Sequence, residues 1–221
     1  MHDRAIGRAA FLGLVGAGVA GLFYGREGMG LLGRLVPDGV QSIVPTSGWR
    51  IYTIGASIPR LDPAEYRLTI DGAVRSPVTY TLADLRRLPQ AEQVSDFQCV
   101  TGWRIQNVHW RGVRFRTLLE EAGLRSNAKA LRFVSAEVPY DDSLTLPQAL
   151  AGDVMLALDM DGKPLSHAHG FPARLVMPRM YGYKGVKWVT RIEARTTHTD
   201  LGFWEQRGYD KDAWIGASNG F

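Results

Sequence analysis

The chain has 221 residues, 45% of them hydrophobic and 22% charged, which is enough for one substantial core and excludes a disordered chain. Its net charge of +4, carried without any block of lysines and arginines, suits an anionic ligand, a membrane surface or nucleic acid without choosing among them. Cys99 is the only cysteine, so no intramolecular disulfide forms and stability rests on packing.

Residues 1–26 differ from the rest. Arg4 and Arg8 precede an uncharged run from Ala9 to Tyr24, and Arg26 follows it. The run is shorter than the roughly 20 apolar residues of a bilayer span, and it is rich in glycine. It reads as an export signal or membrane anchor, with an amphipathic or core helix as the alternative. Within it, "GRAAFLG" resembles the twin-arginine export motif, with Ala9 where the second arginine would stand. Residues 27–48 have linker composition, with many glycines, Pro37 and Pro45. The folded domain is expected over 49–221.

In that domain Tyr66, Leu68 and Ile70 alternate with polar residues and end at Asp71-Gly72, which predicts a half-buried strand. "TLADLRRLP" predicts a short helix with Thr81 as N-cap and Pro89 as the stop. "VRFRTLLEEAGL" predicts a second, with Leu118, Leu119 and Ala122 on one face and Gly123 as the C-cap. "ALRFVSAEV" reads as a strand, and "SLTLPQAL" contains a short helix. "ARLVMP" and "VKWVTRIEA" are further strands, the latter with Val186, Trp188 and Thr190 on one side. No regular strand-helix alternation and no repeat appears. The fold class is α+β, strand-rich, with short inserted helices.

Two stretches carry chemistry. In "SDFQCVTGWRIQNVHW", Cys99 lies among polar residues, unlike a buried core cysteine, and reads as part of a loop. It would serve as a thiol nucleophile with a distant histidine, or as a soft metal ligand. In "LDMDGKPLSHAHGFPARLVMPRMYGYKGVKWVTRIEA", Arg174, Arg179, Lys184, Lys187 and Arg191 are interleaved with Gly182 and Gly185. Glycines admit close approach to the backbone, and amides beside lysine or arginine cradle phosphate; a solvated basic hairpin is the alternative. His167 and His169 would share a strand face as metal ligands, or belong to a surface turn. No paired cysteines, P-loop or GxSxG sequence is present.

"CVTGWR", "WRGVRFRTLLEEAG", "LALDMDGKPLSHAHGFPARLVMP" and "YGYKGVKWVTRIEA", in this order, resemble the sulfite oxidase-type molybdopterin domain over roughly Trp49 to Tyr209. The resemblance implies a mononuclear molybdenum-molybdopterin cofactor with Cys99 as thiolate ligand to the metal. It implies that His169 and Arg174 hold the pterin and that Gly185, Val186 and Lys187 meet its phosphate. Ser135 stands where a related enzyme has a cofactor-contacting threonine, and Tyr52 with Thr53 align with another contact segment. The Cys99 loop is similar to that of the periplasmic methionine-sulfoxide reductase catalytic subunit. By contrast "HGFPARLVMP" and "GFWEQRGYD" are more like sulfite oxidases proper, whose arginine-rich run after the cysteine is reduced here to Arg104, a candidate for an oxyanion substrate or for the cofactor, with a surface or structural arginine as the alternative.

The reading is therefore an exported or membrane-anchored, periplasmic oxidoreductase performing two-electron oxygen-atom transfer. Its substrate would be a small-molecule or protein sulfoxide, or an oxyanion. Its electrons would pass through a separate redox partner, a haem membrane protein or cytochrome. The alternatives are a sulfite dehydrogenase-like oxidase and a non-enzymatic binding module on the same fold. A nucleic-acid partner is not expected, since no aromatic-basic stripe or known module is present.

Overall fold

A computed structural model describes residues 48–217 of the protein. The expected export segment and all of the expected linker except Gly48 lie outside the described residues. The chain divides into two units, residues 1–52 and 53–221. Of the first, only residues 48–52 are described; they form no helix or strand, and Tyr52 is exposed. Every helix and strand that follows belongs to the second unit. Among the described residues no helix is long and apolar enough to cross a membrane.

The second unit is strand-rich. β1 (Arg67–Gly72) and β2 (Val78–Thr81) lead into helix α1 (Leu82–Arg87), then β3 (Ala91–Gln98) and β4 (Arg104–Arg114). Helix α2 (Phe115–Glu120), β5 (Ala130–Ser135), β6 (Asp141–Thr145) and helix α3 (Leu146–Ala149) follow. β7 (Met155–Met160), β8 (Lys163–Pro164), β9 (Arg174–Val176) and β10 (Val189–Arg195) complete the set. One sheet has the order β2-β1-β10-β5-β6, with β1 and β10 parallel; the other runs β3-β4-β7-β8, with β9 also paired to β7. A single apolar cluster draws on both sheets, including Leu68 and Ile70 of β1, Phe133 of β5, Leu156 and Leu158 of β7 and Leu175 of β9. Each such side chain stabilises the fold by about 1.5–3 kcal/mol relative to exposure.

Local rules explain most boundaries. Thr81 accepts from the Asp84 amide while the Asp84 side chain accepts from the Thr81 amide, so a capping box starts α1; Thr145 and Gln148 do the same for α3. In β1 the residues expected inward, Leu68 and Ile70, are fully buried. Where β4 crosses β7, a Cβ on Gly112 would lie 2.1 Å from the Leu156 carbonyl oxygen, so only glycine permits this approach.

Two expectations need correction. β10 begins at Val189, after Val186 and Trp188, because Trp188 has φ +53° and a register shift falls between Val189 and Arg191. The inward residues are Val189, Ile192 and Ala194, whereas Thr190 is only half-buried. Helix α2 ends earlier than expected, with Glu121 as its C-cap; Gly123 lies beyond, its amide donating to the Leu119 carbonyl at 2.9 Å. Of the two readings of His167 and His169, strand face or turn, the structure has a 3-10 turn. The long β3–β4 hairpin and β7 were not expected from the sequence.

Candidate active site

Cys99 follows β3 directly, in the turn between β3 and β4. Its amide donates to the Trp103 carbonyl at 2.9 Å, and the Gly102 amide donates back to the Cys99 carbonyl at 3.1 Å. Gly102 has φ +94°, which closes this turn at little cost. The Cys99 Sγ is half-buried and lies 3.2 Å from Thr101 Oγ1. Phe97 and Trp103 brace the turn with ring centroids 5.5 Å apart. Arg104 is exposed, and its Nε lies 3.7 Å from Asp96 Oδ2, so its charge is turned toward a carboxylate of its own hairpin.

The basic stretch separates in three dimensions. Arg179 pairs with Asp153 at 2.8 Å, Arg191 with Asp71 at 2.9 Å, and Lys184 with Asp142 and Glu205 at 2.5 and 2.6 Å. Arg174 and Lys187 are different. Arg174, at the start of β9, is 3% exposed, and its Nε is buried with no hydrogen-bond partner. One terminal nitrogen donates to the His169 carbonyl at 3.2 Å. The guanidinium lies over the rings of Phe97 and Trp110, 5.4 and 5.2 Å from their centroids. Burial lowers its pKa to about 10. Lys187 sits over the Trp188 ring, with Nζ 4.2 Å from the centroid. Its pKa is lowered to about 7, first by burial and then by the Arg174 charge, with Glu137 opposing.

His169 joins these two. Its Nδ1 lies 2.8 Å from Ser166 Oγ, and its pKa is lowered to about 4 by burial and then by Arg174 and Lys187, so the imidazole is neutral near pH 7. Gly170 permits the cluster: a Cβ there would come 3.0 Å from the Lys187 Cβ and 3.1 Å from the Arg174 Cβ. Residues 185–189 run beside 170–175, with Leu175 N donating to the Val186 carbonyl at 2.8 Å and Val189 N to the Ala173 carbonyl at 3.0 Å. A buried guanidinium that lowers the proton affinity of the buried amine beside it forms an environment in which an anion gains more than it would in water.

Ser135 closes the other side. Its hydroxyl donates to the Lys187 carbonyl at 2.8 Å and accepts from the Glu137 amide at 2.9 Å, so it ties β5 to the basic loop. Glu137, 6% exposed, accepts from the Ile54 amide at 2.8 Å, the Gly55 amide at 3.0 Å and the Thr53 hydroxyl. The structure thus links Thr53, Ser135, His169, Arg174, Gly185, Val186 and Lys187. Cys99 joins the group through Phe97, two residues before it. Tyr52 belongs to the other unit, and Arg104 pairs within its hairpin.

Glu137, Phe97 and Trp110 were missed by the sequence reading; no motif or periodicity marks them. No group of three or more His, Cys, Asp or Glu side chains able to hold a metal gathers among the described residues, so His167 and His169 do not form part of such a cluster.

Lys187→Met tests the electrostatics of this site. Unfolded lysine stays charged up to about pH 10.5, whereas the folded amine loses its proton near 7. Between these values the unfolded state binds more protons, so this group makes stability rise with pH across that window. The full penalty is present below about pH 7, with a ceiling of about 5 kcal/mol. In cofactor-free protein, Lys187→Met is therefore expected to be more stable than wild type at pH 6 and to converge with it by pH 10, as read from urea midpoints. A difference independent of pH would contradict this account.

Comparison with known proteins gives the class: a molybdopterin-dependent oxidoreductase with the sulfite oxidase-type fold. The chain belongs to the family described as "Oxidoreductase molybdopterin binding domain", which matches residues 55–204. It is 36% identical to "Uncharacterized oxidoreductase YuiH" of Bacillus subtilis, over 69% of this chain and 77% of that one. It is 35% identical to "Putative protein-methionine-sulfoxide reductase subunit YedZ1" of Azospira oryzae, over 73% and 59%. Relatives named sulfite oxidase, from Drosophila melanogaster and Arabidopsis thaliana, are 31% and 29% identical. Among solved structures, the sulfane dehydrogenase SoxCD from Paracoccus pantotrophus matches with a TM-score of 0.62 at 29% identity, over 70% of this chain and 43% of that one. The chain thus spans less than two-thirds of several of the proteins it resembles.

Proposed function

We propose that the chain is the catalytic unit of a molybdenum enzyme that removes oxygen from S-oxides. In this reading Cys99 supplies the thiolate ligand to the metal, a soft donor suited to molybdenum. Arg174, Lys187 and neutral His169, with the backbone of Gly185 and Val186, hold the anionic end of the pterin. Ser135 and Thr53 act at one remove, through Lys187 and Glu137. The molybdenum cofactor, when bound, supplies two-electron oxygen-atom exchange. Overall, an S-oxide takes up a pair of electrons and a pair of protons, its sulfur–oxygen bond breaks, and the corresponding sulfide and one water leave.

The observation that carries this reading is the buried pair Arg174 and Lys187. It fits a phosphate-bearing cofactor, because Arg174 Nε is buried without a partner and both cations are desolvated. In favour of a neutral S-oxide over sulfite, Arg104 Nε lies 3.7 Å from Asp96 Oδ2, so the charge of the one arginine that follows Cys99 in its turn is shared with a carboxylate of its own hairpin. The name of the Azospira relative also supports S-oxide reduction. The electrons would come from a separate redox protein, a haem membrane protein or cytochrome. The uncharged run near the amino terminus would export or tether the chain, placing it in the periplasm.

The experiment is metal and pterin analysis of protein matured in a molybdenum-supplied host, then turnover of methionine sulfoxide with a reduced dye beside sulfite with an oxidant. About one molybdenum and one pterin per chain, with sulfoxide turnover dominant, is expected. Folded, matured protein holding neither would overturn the enzyme reading; dominant sulfite turnover would reverse the direction.

A further inference from the structure

The site described so far has two halves, a thiol on the β3–β4 turn and a group of buried basic residues on the 169–187 stretch. Phe97 lies where they meet. It is the second residue before Cys99, and it packs against Trp103 on the far side of the same turn. The Arg174 guanidinium lies over its ring at 5.4 Å, and Trp110 of β4 takes the other contact at 5.2 Å. A third element is fitted to it as well. A Cβ on Gly182 would come 2.2 Å from Phe97 Cζ, so residue 182 has no room for any side chain while the ring stays in place.

A buried guanidinium with an unpartnered Nε needs compensation from elsewhere, and π faces provide it where water is excluded. They also fix the plane of the fork, so that its unused N–H vectors have one direction before any anion arrives. Leucine at position 97 would fill much of the same space without offering a π face.

We propose that Phe97 is a positioning residue: with Trp110 it orients Arg174 for an anionic phosphate group and couples that arginine to the Cys99 turn. Gly182 is the position that makes room for it. This rests on the reading of Arg174 as part of the cofactor site, and the experiment separates the two.

Cofactor-free protein, made in a host unable to synthesise the pterin, is titrated with inorganic phosphate, and affinity is read from the shift in melting temperature. The holoenzyme is assayed in parallel for pterin retained after gel filtration. Phe97→Leu is expected to weaken phosphate binding about 10–100-fold, the usual effect of losing an outer partner of a binding group. In an Arg174→Lys background, Phe97→Leu should have little further effect on phosphate affinity, because the residue acts through the arginine. Gly182→Ala, which displaces the ring without changing it, should reproduce the Phe97→Leu loss and serves if that variant fails to fold.

Equal phosphate affinity and pterin retention in wild type, Phe97→Leu and Gly182→Ala would overturn the positioning role alone. An undiminished Phe97→Leu effect in the Arg174→Lys background would also overturn it, showing a packing effect that bypasses the arginine. Wild-type protein that neither binds phosphate nor retains pterin would remove the site reading on which the inference stands.

Discussion

Cys99→Ser is expected to reduce sulfoxide turnover by about 100-fold or more while leaving the fold and the bound pterin in place. The fold should tolerate it because the turn is held by the Cys99–Trp103 and Gly102–Cys99 backbone bonds and by the Phe97–Trp103 contact, none of which involves sulfur. A half-buried position with one polar neighbour, Thr101, falls among substitutions that alter stability by roughly ±0.5 kcal/mol. The chemistry should not tolerate it, because serine is a hard donor that stays protonated near neutral pH. Altering an outer-shell partner already costs about 10–100-fold, so loss of a direct ligand should cost at least the upper end. Pterin retention should survive because Arg174 and Lys187 are untouched. Parallel measurements of kcat, molybdenum, pterin and melting temperature check each part. Wild-type turnover and metal content in Cys99→Ser would exclude the thiolate ligand.

What the sequence disclosed follows from how each element is buried. β1 was legible because one face is fully buried and the other is not, so alternation shows in Leu68, Ile70 and their polar neighbours. Helix α1 was legible from the Thr81–Asp84 capping box. The β3–β4 hairpin was not: "AEQVSDFQ" has no fully buried residue, so no period of two emerges. β7 was hidden for the opposite reason, since "MLALD" is buried throughout and an apolar run without alternation suits a strand or a helix equally. In the site, composition identified five basic residues as candidates but could not rank them. Asp153, Asp71, Asp142 and Glu205 remove three of the five, and all four carboxylates come from distant parts of the chain. Phe97 and Trp110 are invisible for a similar reason, since nothing local distinguishes an aromatic ring that meets an arginine 77 or 64 residues away.

Lys184 shows how much such a long-range choice matters, and Lys184→Met is expected to be the most destabilising single change outside the apolar core. Lys184 closes the 3-10 turn 182–184 just before Gly185; Asp142 lies in β6 and Glu205 in the tail that follows β10. All three side chains are about 1% exposed. One cation faces two carboxylates, and both Asp142 Oδ2 and Glu205 Oε2 are buried without partners. Burial and the neighbouring Glu205 push Asp142 up to about 8, with Lys184 opposing. Removing the lysine leaves two buried acids facing each other without a counter-charge, a change that costs about 3–5 kcal/mol. The cost must depend on pH. A carboxyl group whose folded pKa is raised binds more protons folded than unfolded between about 4 and 8, so its stabilising protonated form is lost as pH rises through that window. Without Lys184 the folded pKa rises further, so the two proteins lose this contribution in parallel up to about pH 8 and diverge above it, and Lys184→Met should be more deficient at about pH 9.5 than at about pH 6. Urea unfolding at the two pH values reads this directly, and adding Glu205→Gln should restore much of the loss at the higher pH by removing one of the two carboxyl groups. A deficit equal at both pH values and indifferent to Glu205→Gln would mean that Lys184 contributes through the packing of its stem, not through its charge.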